Sequence, residues 1–381
     1  MAETDLIPTR RDVLRTGTAV GIGLLAGCSG DASTGTPTSS ATSTNTPTET
    51  DSGQSVTMEP VGEVEFEEPP ERWVPFTGDY ADIGVALGQA DGLAGIGIRA
   101  RYAAHLYEEL PGVSVNKEEL PQLYQDGVDK EIFYEVDADL HVIDPNFMIN
   151  RLQWSEGDVE EVVDNVAPFL GNTSFTQVYD WHNYRYYSIY EAFEVLAETF
   201  QERARYEAFK TYHDEVVGEV QSRTPEASPD VAVLYPAGIP PESFFPYLVG
   251  EGTQSRHWRD LQVNDALAAN GVTDAQAGGG RIDFETLLEI DPDVLAIRLQ
   301  GDVSEEYFDQ NIRSHLEDHD VASDLSAVQN DRVIYGGVTY QGPIIHLFQL
   351  ERAAQGLYPD EFGDEQLFDR ERIAEIVTDG E

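Results

Sequence analysis

Two stretches of the sequence share one design, and together they decide the fold. The first reads Glu131-Ile-Phe-Tyr-Glu-Val-Asp-Ala-Asp139 and runs into Leu140-His-Val-Ile143; the second reads Glu285-Thr-Leu-Leu-Glu-Ile-Asp-Pro-Asp293 and runs into Val294-Leu-Ala-Ile297. In each, a Glu stands eight residues ahead of an Asp, a short amphipathic helix lies between them, and an apolar run typical of a buried strand follows. A matched pair of such units about half a chain apart predicts two lobes of similar topology.

The sequence around these units alternates short apolar runs with helical patterns from about residue 63 onward. Such alternation is typical of an α/β architecture with largely parallel sheets. We therefore predict two Rossmann-like lobes, one over residues 63–187 and one over residues 228–381. Predicted strands include residues 92–98, 231–235 and 332–335.

The segment between the two lobes has the pattern of a helix. Ser188 and Glu191 form a capping box at its start, and apolar residues keep helical spacing as far as Val220. At 1.5 Å per residue this helix would span about 50 Å, which is more than the width of one small domain. We predict a single long helix over residues 188–220 that bridges the lobes. The alternative is an amphipathic helix inside one larger domain.

The charge of the chain excludes some classes of function. Lys and Arg number 23 against 71 Asp and Glu, which gives a net charge of −48 over 381 residues. A chain this acidic repels phosphate backbones and anionic bilayers, so nucleic-acid binding and polybasic membrane docking are excluded. Because Lys117, Lys130 and Lys210 are the only lysines, the composition favours an extremely halophilic host over an ordinary acidic secreted protein.

The N-terminal region has the pattern of an export signal followed by a tether. Arg10 and Arg11 precede a short apolar run that ends Leu-Ala-Gly-Cys28, so residues 1–28 predict a twin-arginine signal with a lipobox. Cys28, the only cysteine, would then carry the lipid. Residues 29–60 are rich in Ser and Thr and predict a disordered tether. The protein is thus expected to be held at the outer face of a membrane.

Several ordered motifs resemble those of one family, the substrate-binding lipoproteins of ATP-driven importers for iron–siderophore complexes, cobalamin and haem. The resemblance rests on Arg72 and the later Ala-Leu-Gly88, on Asp129-Lys-Glu131 through Asp139, on Glu285 through Asp293, and on Arg332-Val-Ile-Tyr335 with Gly342-Pro343. The Pro-Ser-x-Thr-Glu centre of the family's first motif is replaced here by residues 78–82. The match covers about residues 63–375.

This resemblance implies a function and a docking surface. It implies a monomeric extracytoplasmic protein, not an enzyme, that captures an iron(III)–siderophore-type chelate between its lobes and delivers it to an ABC permease dimer with its ATPase. No intrinsic cofactor or metal is expected. In similar proteins one Glu on each lobe pairs with arginines of the permease, and the matching positions here are Glu131 and Glu285.

In open parallel sheets, ligands bind outside the carboxyl ends of the strands, which here means the cleft between the lobes. Arginine forks suit chelate oxygens, and aromatic rings suit large flat ligands. Residues with these side chains near predicted strand ends or in aromatic loops are our candidate ligand-binding residues: Arg99, Arg101, Tyr102, Trp181, Tyr235, Trp258, Arg298 and Tyr340. Arg99 and Arg101 could instead be helix-surface residues that pair with Glu108 or Glu109.

Other functions stay open at this point. Cobalamin or haem would suit the same family, and a bare metal ion, an oxyanion or an adhesive role would suit a different class of receptor. His315 and His319 have the spacing of a zinc-binding pair, although solvated helix surface is the favoured interpretation. An enzyme is disfavoured because no Gly-x-Ser-x-Gly elbow, phosphate-loop Lys or thiol nucleophile stands in a suitable context.

Overall fold

The computed structural model describes residues 53–380. The predicted signal, the lipidation of Cys28 and most of the predicted tether lie outside these residues. Of the helices in the described part, none is long and apolar enough to cross a membrane.

The described residues form a mixed α/β fold. Its strands are β1 Gln54–Met58, β2 Gly62–Phe66, β3 Trp73–Pro75, β4 Leu140–Val142, β5 Asp230–Pro236, β6 Phe244–Tyr247, β7 Asn264–Asp265, β8 Val294–Ile297 and β9 Val333–Tyr335. Its α-helices are α1 Gly78–Ala86, α2 Glu131–Val136, α3 Pro145–Leu152, α4 Glu156–Asn165, α5 Ile189–Thr199, α6 Arg203–Arg223, α7 Arg256–Asp260, α8 Ala266–Ala269, α9 Phe284–Ile290, α10 Glu305–Phe308, α11 Ser314–Asp318, α12 Ser326–Gln329, α13 Pro343–Leu357, α14 Pro359–Phe362 and α15 Arg370–Asp379.

The end of the predicted tether is folded. Strands β1 and β2 pair as an antiparallel hairpin, and Val56 and Met58 are buried against the first lobe. The prediction of disorder up to residue 60 is therefore wrong for its last residues. Alternation of apolar and polar side chains from Val56 to Phe66 gives the hairpin one buried face, which outweighs the high Ser and Thr content.

The first lobe is built on the parallel pair β3 and β4. Residues 92–98, predicted as a strand, contribute only isolated parallel bridges at Leu93 and Ile96. The glycines explain this difference, because a Cβ atom at Gly97 would lie 2.0 Å from the carbonyl oxygen of Phe76. The segment passes closer to the neighbouring chain than a residue with a side chain could.

The second lobe contains a five-stranded sheet with the path β6-β5-β8-β9, and β7 adds to β5. Strands β7, β8 and β9 run parallel to their neighbours, whereas β6 is antiparallel to β5. One face of the sheet carries Leu234 and Ile297 and packs on one apolar cluster, while the other carries Val233 and Ala296 and packs on a second. The predicted α/β class with largely parallel strands is confirmed.

The two repeated units have the same structure. Helices α2 and α9 end at Asp137 and Asp291, whose φ angles of 48° and 45° lie in the left-handed region, and the chain then enters β4 or β8. The closing aspartates also match: Asp139 accepts hydrogen bonds from the backbone N–H groups ahead of β3, and Asp293 accepts one from the start of β5. The sequence repeat is thus a structural repeat, with one copy in each lobe.

The predicted single helix over residues 188–220 is wrong in its continuity. Two helices occupy this range, α5 and α6, and Gln201 between them has a φ angle of 58°. The capping box of Ser188 and Glu191 is present at the start of α5. The bridge is α6 alone: Tyr206 and Phe209 pack in the first-lobe core, and Val220 packs in the second. Its 21 residues span about 30 Å.

Helix α13 makes the other connection between the lobes. Its first backbone N–H groups, those of Ile344 and Ile345, donate to the carboxylate of Asp82 on α1, each over 2.9 Å. The other carboxylate oxygen of Asp82 accepts from the Tyr107 hydroxyl. Further along α13, Leu350 and Ala354 pack in the core of the second lobe. The lobes therefore share two helices with buried anchors at both ends.

Candidate ligand-binding site

The second lobe meets the first beyond the carboxyl end of β8. Arg298, the residue after β8, donates to the main-chain oxygen of Gln254, whose own N–H donates to Phe175 of the first lobe, and the ring centre of Tyr247 on β6 lies 5.3 Å from the Arg298 guanidinium. Burial raises the pKa of the Tyr247 hydroxyl, and Arg298 and Arg101 partly oppose that rise. Arg298 follows β8 in the second lobe, whereas Arg101 lies in the first, in a 3₁₀ turn over Arg99–Arg101. Arg101 is adjacent to the second lobe, because a Cβ atom on Gly78 would lie 3.2 Å from the carbonyl oxygen of Arg101 and 3.3 Å from Cβ of Tyr340. Arg101 and Arg298 thus lie on opposite sides of the junction between the lobes, which we call the inter-lobe cleft.

Arg101 is exposed and points to tyrosines of the second lobe. Desolvation alone would lower the pKa of Arg101, but Tyr340, Tyr247 and Tyr235 outweigh it and raise this pKa. Tyr235 is half-buried at the end of β5 and pairs with Phe245 on β6. The structure therefore brings together three residues predicted from the sequence: Arg101, Tyr235 and Tyr340.

Arg298 lies at the base of the cleft and is fully buried. Its guanidinium donates to the main-chain oxygen of Gln254 over 2.6 Å and lies 5.3 Å from the centre of the Tyr247 ring. Its Nε has no hydrogen-bond partner in the described part of the chain. Burial lowers the pKa of Arg298 to about 10, so the side chain is still charged at neutral pH.

The first lobe contributes an aromatic wall between β4 and α5. Tyr179 and Trp181 are stacked, with ring centres 5.0 Å apart and an interplanar angle of 15°. Trp181 is half-buried, and the stack continues through His182, which lies between Tyr184 and Tyr186. The predicted aromatic loop is thus a continuous stack with one partly open ring face.

The wall meets the second lobe directly. The ring centres of Phe175 and Tyr340 are 5.1 Å apart in an edge-to-face contact, and the backbone N–H groups of Thr253 and Gln254 donate to the carbonyls of Ser174 and Phe175. Tyr340 is 5% exposed, so it closes the floor of the cleft more than it lines the open space.

Two predicted ligand-binding residues are core residues. Tyr102 is fully buried, and its hydroxyl donates to Tyr107 over 3.2 Å. Trp258 is also fully buried, and it packs between the sheet of the second lobe and α13. Both predictions are wrong because an aromatic residue near a strand end can point into the core, and the sequence does not reveal which way it turns.

Arg99 is a surface residue that pairs with a carboxylate. Its guanidinium donates to the main-chain oxygen of Glu118 over 2.9 Å and lies 3.8 Å from the carboxylate of the same residue. The partner differs from Glu108 and Glu109, which the sequence offered as alternatives. Arg99 is therefore not free to bind a ligand in this conformation, unlike Arg101 two residues later.

Sequence reasoning missed several cleft residues. Arg151 at the end of α3 lies over the ring of Tyr179, and Arg281 lies over Phe245, each 5.0 Å from the ring centre. Tyr247 was not singled out from its aromatic segment. Both arginines belong to a chain that is poor in cations, and that scarcity is the signal that could have drawn attention to them.

The structure disfavours a metal site at His315 and His319. Nδ1 of His319 accepts the backbone N–H groups of Val321 and Ala322, so its proton is on Nε2. Nε2 of His315 lies 2.9 Å from the carbonyl oxygen of Pro241 and must donate to it. The Nε2 atoms of His315 and His319 lie 3.5 and 3.7 Å from the carboxylate of Glu242, and each carries a proton, so neither has a free lone pair for a metal ion. Within residues 53–380 no group of three or more metal-ligating side chains is present.

Glu131 and Glu285 occupy equivalent places in the two lobes. Each is exposed in the first turn of its helix, α2 or α9. Because each helix turns back through a tight loop into the next strand, its first turn lies toward the carboxyl end of the sheet. Each carboxylate is therefore expected at the carboxyl end of the sheet in its own lobe.

A family model described as periplasmic binding protein matches residues 76–338, which is more than half of the chain. The chain belongs to this family. Members are solute-binding proteins that act outside the cytoplasm and deliver ligands to ABC importers, and they are not enzymes. No curated protein matches this periplasmic binding protein.

Solved structures share its fold at low sequence identity. The siderophore-binding protein BauB, bound to two molecules of acinetobactin and ferric iron, is 17% identical with a TM-score of 0.56, and the alignment covers 83% of this chain and 100% of that one. The heme-binding protein HmuT is 18% identical with a TM-score of 0.56, over 80% and 90%. The petrobactin-binding protein YclQ from Bacillus subtilis is 15% identical with a TM-score of 0.55, over 78% and 95%.

Proposed function

We propose that this periplasmic binding protein captures an iron(III)–siderophore-type chelate between its lobes and delivers it to the permease of an ABC importer. The observation that carries the proposal is the composition of the cleft. Arg101 lies beside Tyr340 and Arg298 beside Tyr247, and the half-buried Trp181 belongs to the aromatic cluster that includes Tyr340. Within residues 53–380 no group of three or more His, Cys, Asp or Glu side chains is placed to hold a metal ion. Arginine forks and flat rings suit the oxygens and rings of an organic chelate.

Cobalamin and haem are the alternative ligands. They are also large and flat, and the heme-binding HmuT has the same fold. A receptor for a bare metal ion would need converging His and carboxylate side chains, and a receptor for an oxyanion would need no aromatic wall. We therefore rank these two alternatives below the chelates.

We further propose that Cys28 carries a lipid and that residues 1–28 are a twin-arginine signal. The lipid would hold the protein, as a monomer, at the outer face of the cell membrane. Exposed Glu131 and Glu285 would bind the two halves of the permease dimer, because two anionic groups on a rigid body can set its register on a symmetric partner.

Retention of coloured ligands tests the proposed function. The purified protein is incubated in molar salt with ferric siderophores, cobalamin or haem, passed through a desalting column, and scanned in the visible range. We expect a ferric chelate band to stay with the protein. Retention of cobalamin or haem alone would favour those alternatives. If no colour is retained and Fe³⁺ or Zn²⁺ alone raises the melting temperature, the chelate proposal is wrong.

A further inference from the structure

The arginines and lysines of residues 53–380 separate into three groups by their partners. Most arginines of residues 53–380 lie within 4.0 Å of a carboxylate, as expected in a chain with 71 acidic residues. Arg72, Arg332 and Lys117 have no such ion pair but donate to main-chain carbonyls. The others without a carboxylate of the described residues in range are Arg101, Arg151, Arg281 and Arg298. All four face aromatic residues at or beside the cleft.

Arg298 is the strongest case because it is buried and no carboxylate of the described residues lies within ion-pair distance of it. Asp274 is near enough to affect the pKa of Arg298, but its carboxylate accepts the backbone N–H groups of Leu248 and Gln276. The guanidinium donates to Gln254, and its Nε has no hydrogen-bond partner among residues 53–380. Burying a cation with no ion-pair partner costs free energy. Such a cation beside a binding site therefore indicates a ligand that carries negative charge.

Arg101 presents a second cation to the same space from the other lobe. Arg101 lies beside Tyr340 of the second lobe, and Arg298 lies 5.3 Å from the ring centre of Tyr247. Both guanidiniums partly oppose the rise that burial causes in the pKa of Tyr247. Arg151 adds a third cation beside the stack of Tyr179 and Trp181. The cleft therefore has positive charge on both walls and a flat aromatic surface on one, in a protein whose net charge is −48.

We propose that the cleft selects chelates that are negatively charged and aromatic, of the ferric catecholate type, over neutral or cationic chelates. This inference rests on the proposed function and concerns the charge of the ligand. An anionic chelate adds negative charge near the buried guanidinium of Arg298, which has no ion pair among the described residues, and allows the exposed Arg101 to form charge-assisted hydrogen bonds. A neutral hydroxamate chelate would add no such charge.

The experiment measures quenching of the intrinsic fluorescence by three ferric complexes at molar salt. The probes are a trianionic tris-catecholate complex, a neutral tris-hydroxamate complex and ferric citrate, which is anionic but not aromatic. Each is titrated into the wild type, Arg101→Gln and Arg298→Met. Arg203→Gln is the matched control, since Arg203 is exposed, pairs with Glu194 and lies at the start of α6. Because the buried Arg298 variant can fail to fold, Arg101→Gln carries the test by itself.

We expect the tris-catecholate complex to bind at least tenfold more tightly than the neutral complex. Arg101→Gln should weaken tris-catecholate binding about tenfold, as loss of a charge-assisted hydrogen bond would, and leave binding of the neutral complex within twofold. Arg203→Gln should change neither. Equal or tighter binding of the neutral complex, or equal loss for both complexes in Arg101→Gln, overturns the inference while the proposed function stands. Tighter binding of ferric citrate than of tris-catecholate refutes the aromatic part. Binding of none of the chelates refutes the proposed function itself.

Discussion

Asp79 and Asp82 lie one turn apart on α1, and both are buried, but their neighbours differ. Asp82 accepts the first N–H groups of α13 and the Tyr107 hydroxyl, so its carboxylate joins two elements. Asp79 accepts only local hydrogen bonds, from Thr77 and its own turn. Burial raises the pKa of both carboxyls, that of Asp79 to about 6 and that of Asp82 to about 7, but the hydrogen bonds of Asp82 link α1 to other elements and those of Asp79 do not.

Asp79→Asn should therefore stabilise the protein at neutral and higher pH. Burial raises the pKa of Asp79 from 3.8 to about 6, so the folded state favours the protonated carboxyl. The stability gained from the protonated form is fully present below pH 3.8 and is lost as the pH rises through about 6. The variant should gain roughly 1–3 kcal/mol at pH 8 and nothing at pH 4. Thermal unfolding at both pH values measures this. Asp82→Asn is the comparison. Burial raises the pKa of Asp82 to about 7, so this variant also loses an unfavourable buried charge, but an amide has one acceptor oxygen where the carboxylate of Asp82 uses two. We therefore expect no net gain at pH 8; a gain as large as that of Asp79→Asn would contradict the anchor role of Asp82.

Part of the site could be predicted from single residues. Arg101 and Arg298 were found because cations are rare in this sequence and both follow apolar runs. Tyr102 and Trp258 were misassigned because a side chain near a strand end can point either into the cleft or into the core. Nothing in the local sequence decides between these two directions. Tyr247 was missed because its importance comes from neighbours in both lobes.

Among the elements, α6, α7 and α13 are joined by a chain of buried side chains. Nε2 of His213 on α6 lies 2.8 Å from Nδ1 of His346 on α13, whose Nε2 lies 3.1 Å from the carboxylate of Asp260 on α7. Arg256 pairs with the same carboxylate. The charged and titratable groups that act on the two imidazoles are Lys210, Arg256, Arg259 and Asp260, and the ring of Tyr190 contacts His213. This chain ties the bridging helix to the second lobe.

The two histidines should make the protein sensitive to acid. Burial holds the pKa values of His213 and His346 below the ordinary value of 6.5, so their contribution to stability is present above pH 6.5 and is lost as the pH falls below it. His213→Leu should lower the melting temperature at pH 7.5 but show a smaller further loss at pH 5 than the wild type. His315→Leu, at the surface beside Glu242, is the control. An unchanged difference between pH 7.5 and pH 5 in His213→Leu would count against this explanation.

The left-handed residue that ends α2 should tolerate glycine. Asp137 has a φ angle of 48°, and no hydrogen bond of its carboxylate is recorded among the described residues. Asp137→Gly should be neutral or stabilise the protein by up to about 1 kcal/mol, whereas Asp137→Val should cost about 1–2 kcal/mol. Chemical denaturation measures both. Asp291→Gly is the matched variant in the second lobe and should destabilise, because Asp291 also accepts two hydrogen bonds from Ser326.

The elements of the repeat were predictable, and the break in the bridge was not. Local sequence patterns alone predicted the two helix–strand units, α2 with β4 and α9 with β8. The pattern is helical spacing over a short segment followed by an apolar run. Apolar residues on both sides of Gln201 face the same core, so the periodicity continues through a point where the backbone leaves the helix. Tertiary packing decides the break, and no Pro or Gly marks it.

At the scale of the whole molecule, each lobe presents one exposed glutamate in the first turn of an equivalent helix, Glu131 or Glu285. We expect Glu131→Lys and Glu285→Lys to abolish uptake of a ferric chelate by cells and to leave the affinity of the purified protein within twofold. The reason is that these carboxylates are exposed and lie outside the cleft residues described above. Glu226→Lys, in the loop ahead of β5, changes the net charge equally and should preserve uptake. Loss of chelate affinity in the first two variants would mean that they line the cleft.

The connections between the lobes also limit their movement. The bridge α6, the anchored helix α13 and the contact of Phe175 with Tyr340 all cross between the lobes. We therefore expect capture with only a small rotation of the lobes, because packed helices resist bending more than paired strands do. A small rotation would keep Glu131 and Glu285 at a nearly fixed separation, as their proposed docking role requires.

The central claim is that the ligand lies between the lobes, held by Arg101 and Arg298. Anomalous diffraction at the iron absorption edge, from crystals grown with a ferric tris-catecholate complex, tests it most directly. We predict one iron peak in the cleft, beside Tyr247 and between the two guanidiniums. An iron peak on the outer surface of either lobe, or a peak that persists with Fe³⁺ in the absence of the chelator, would contradict the claim.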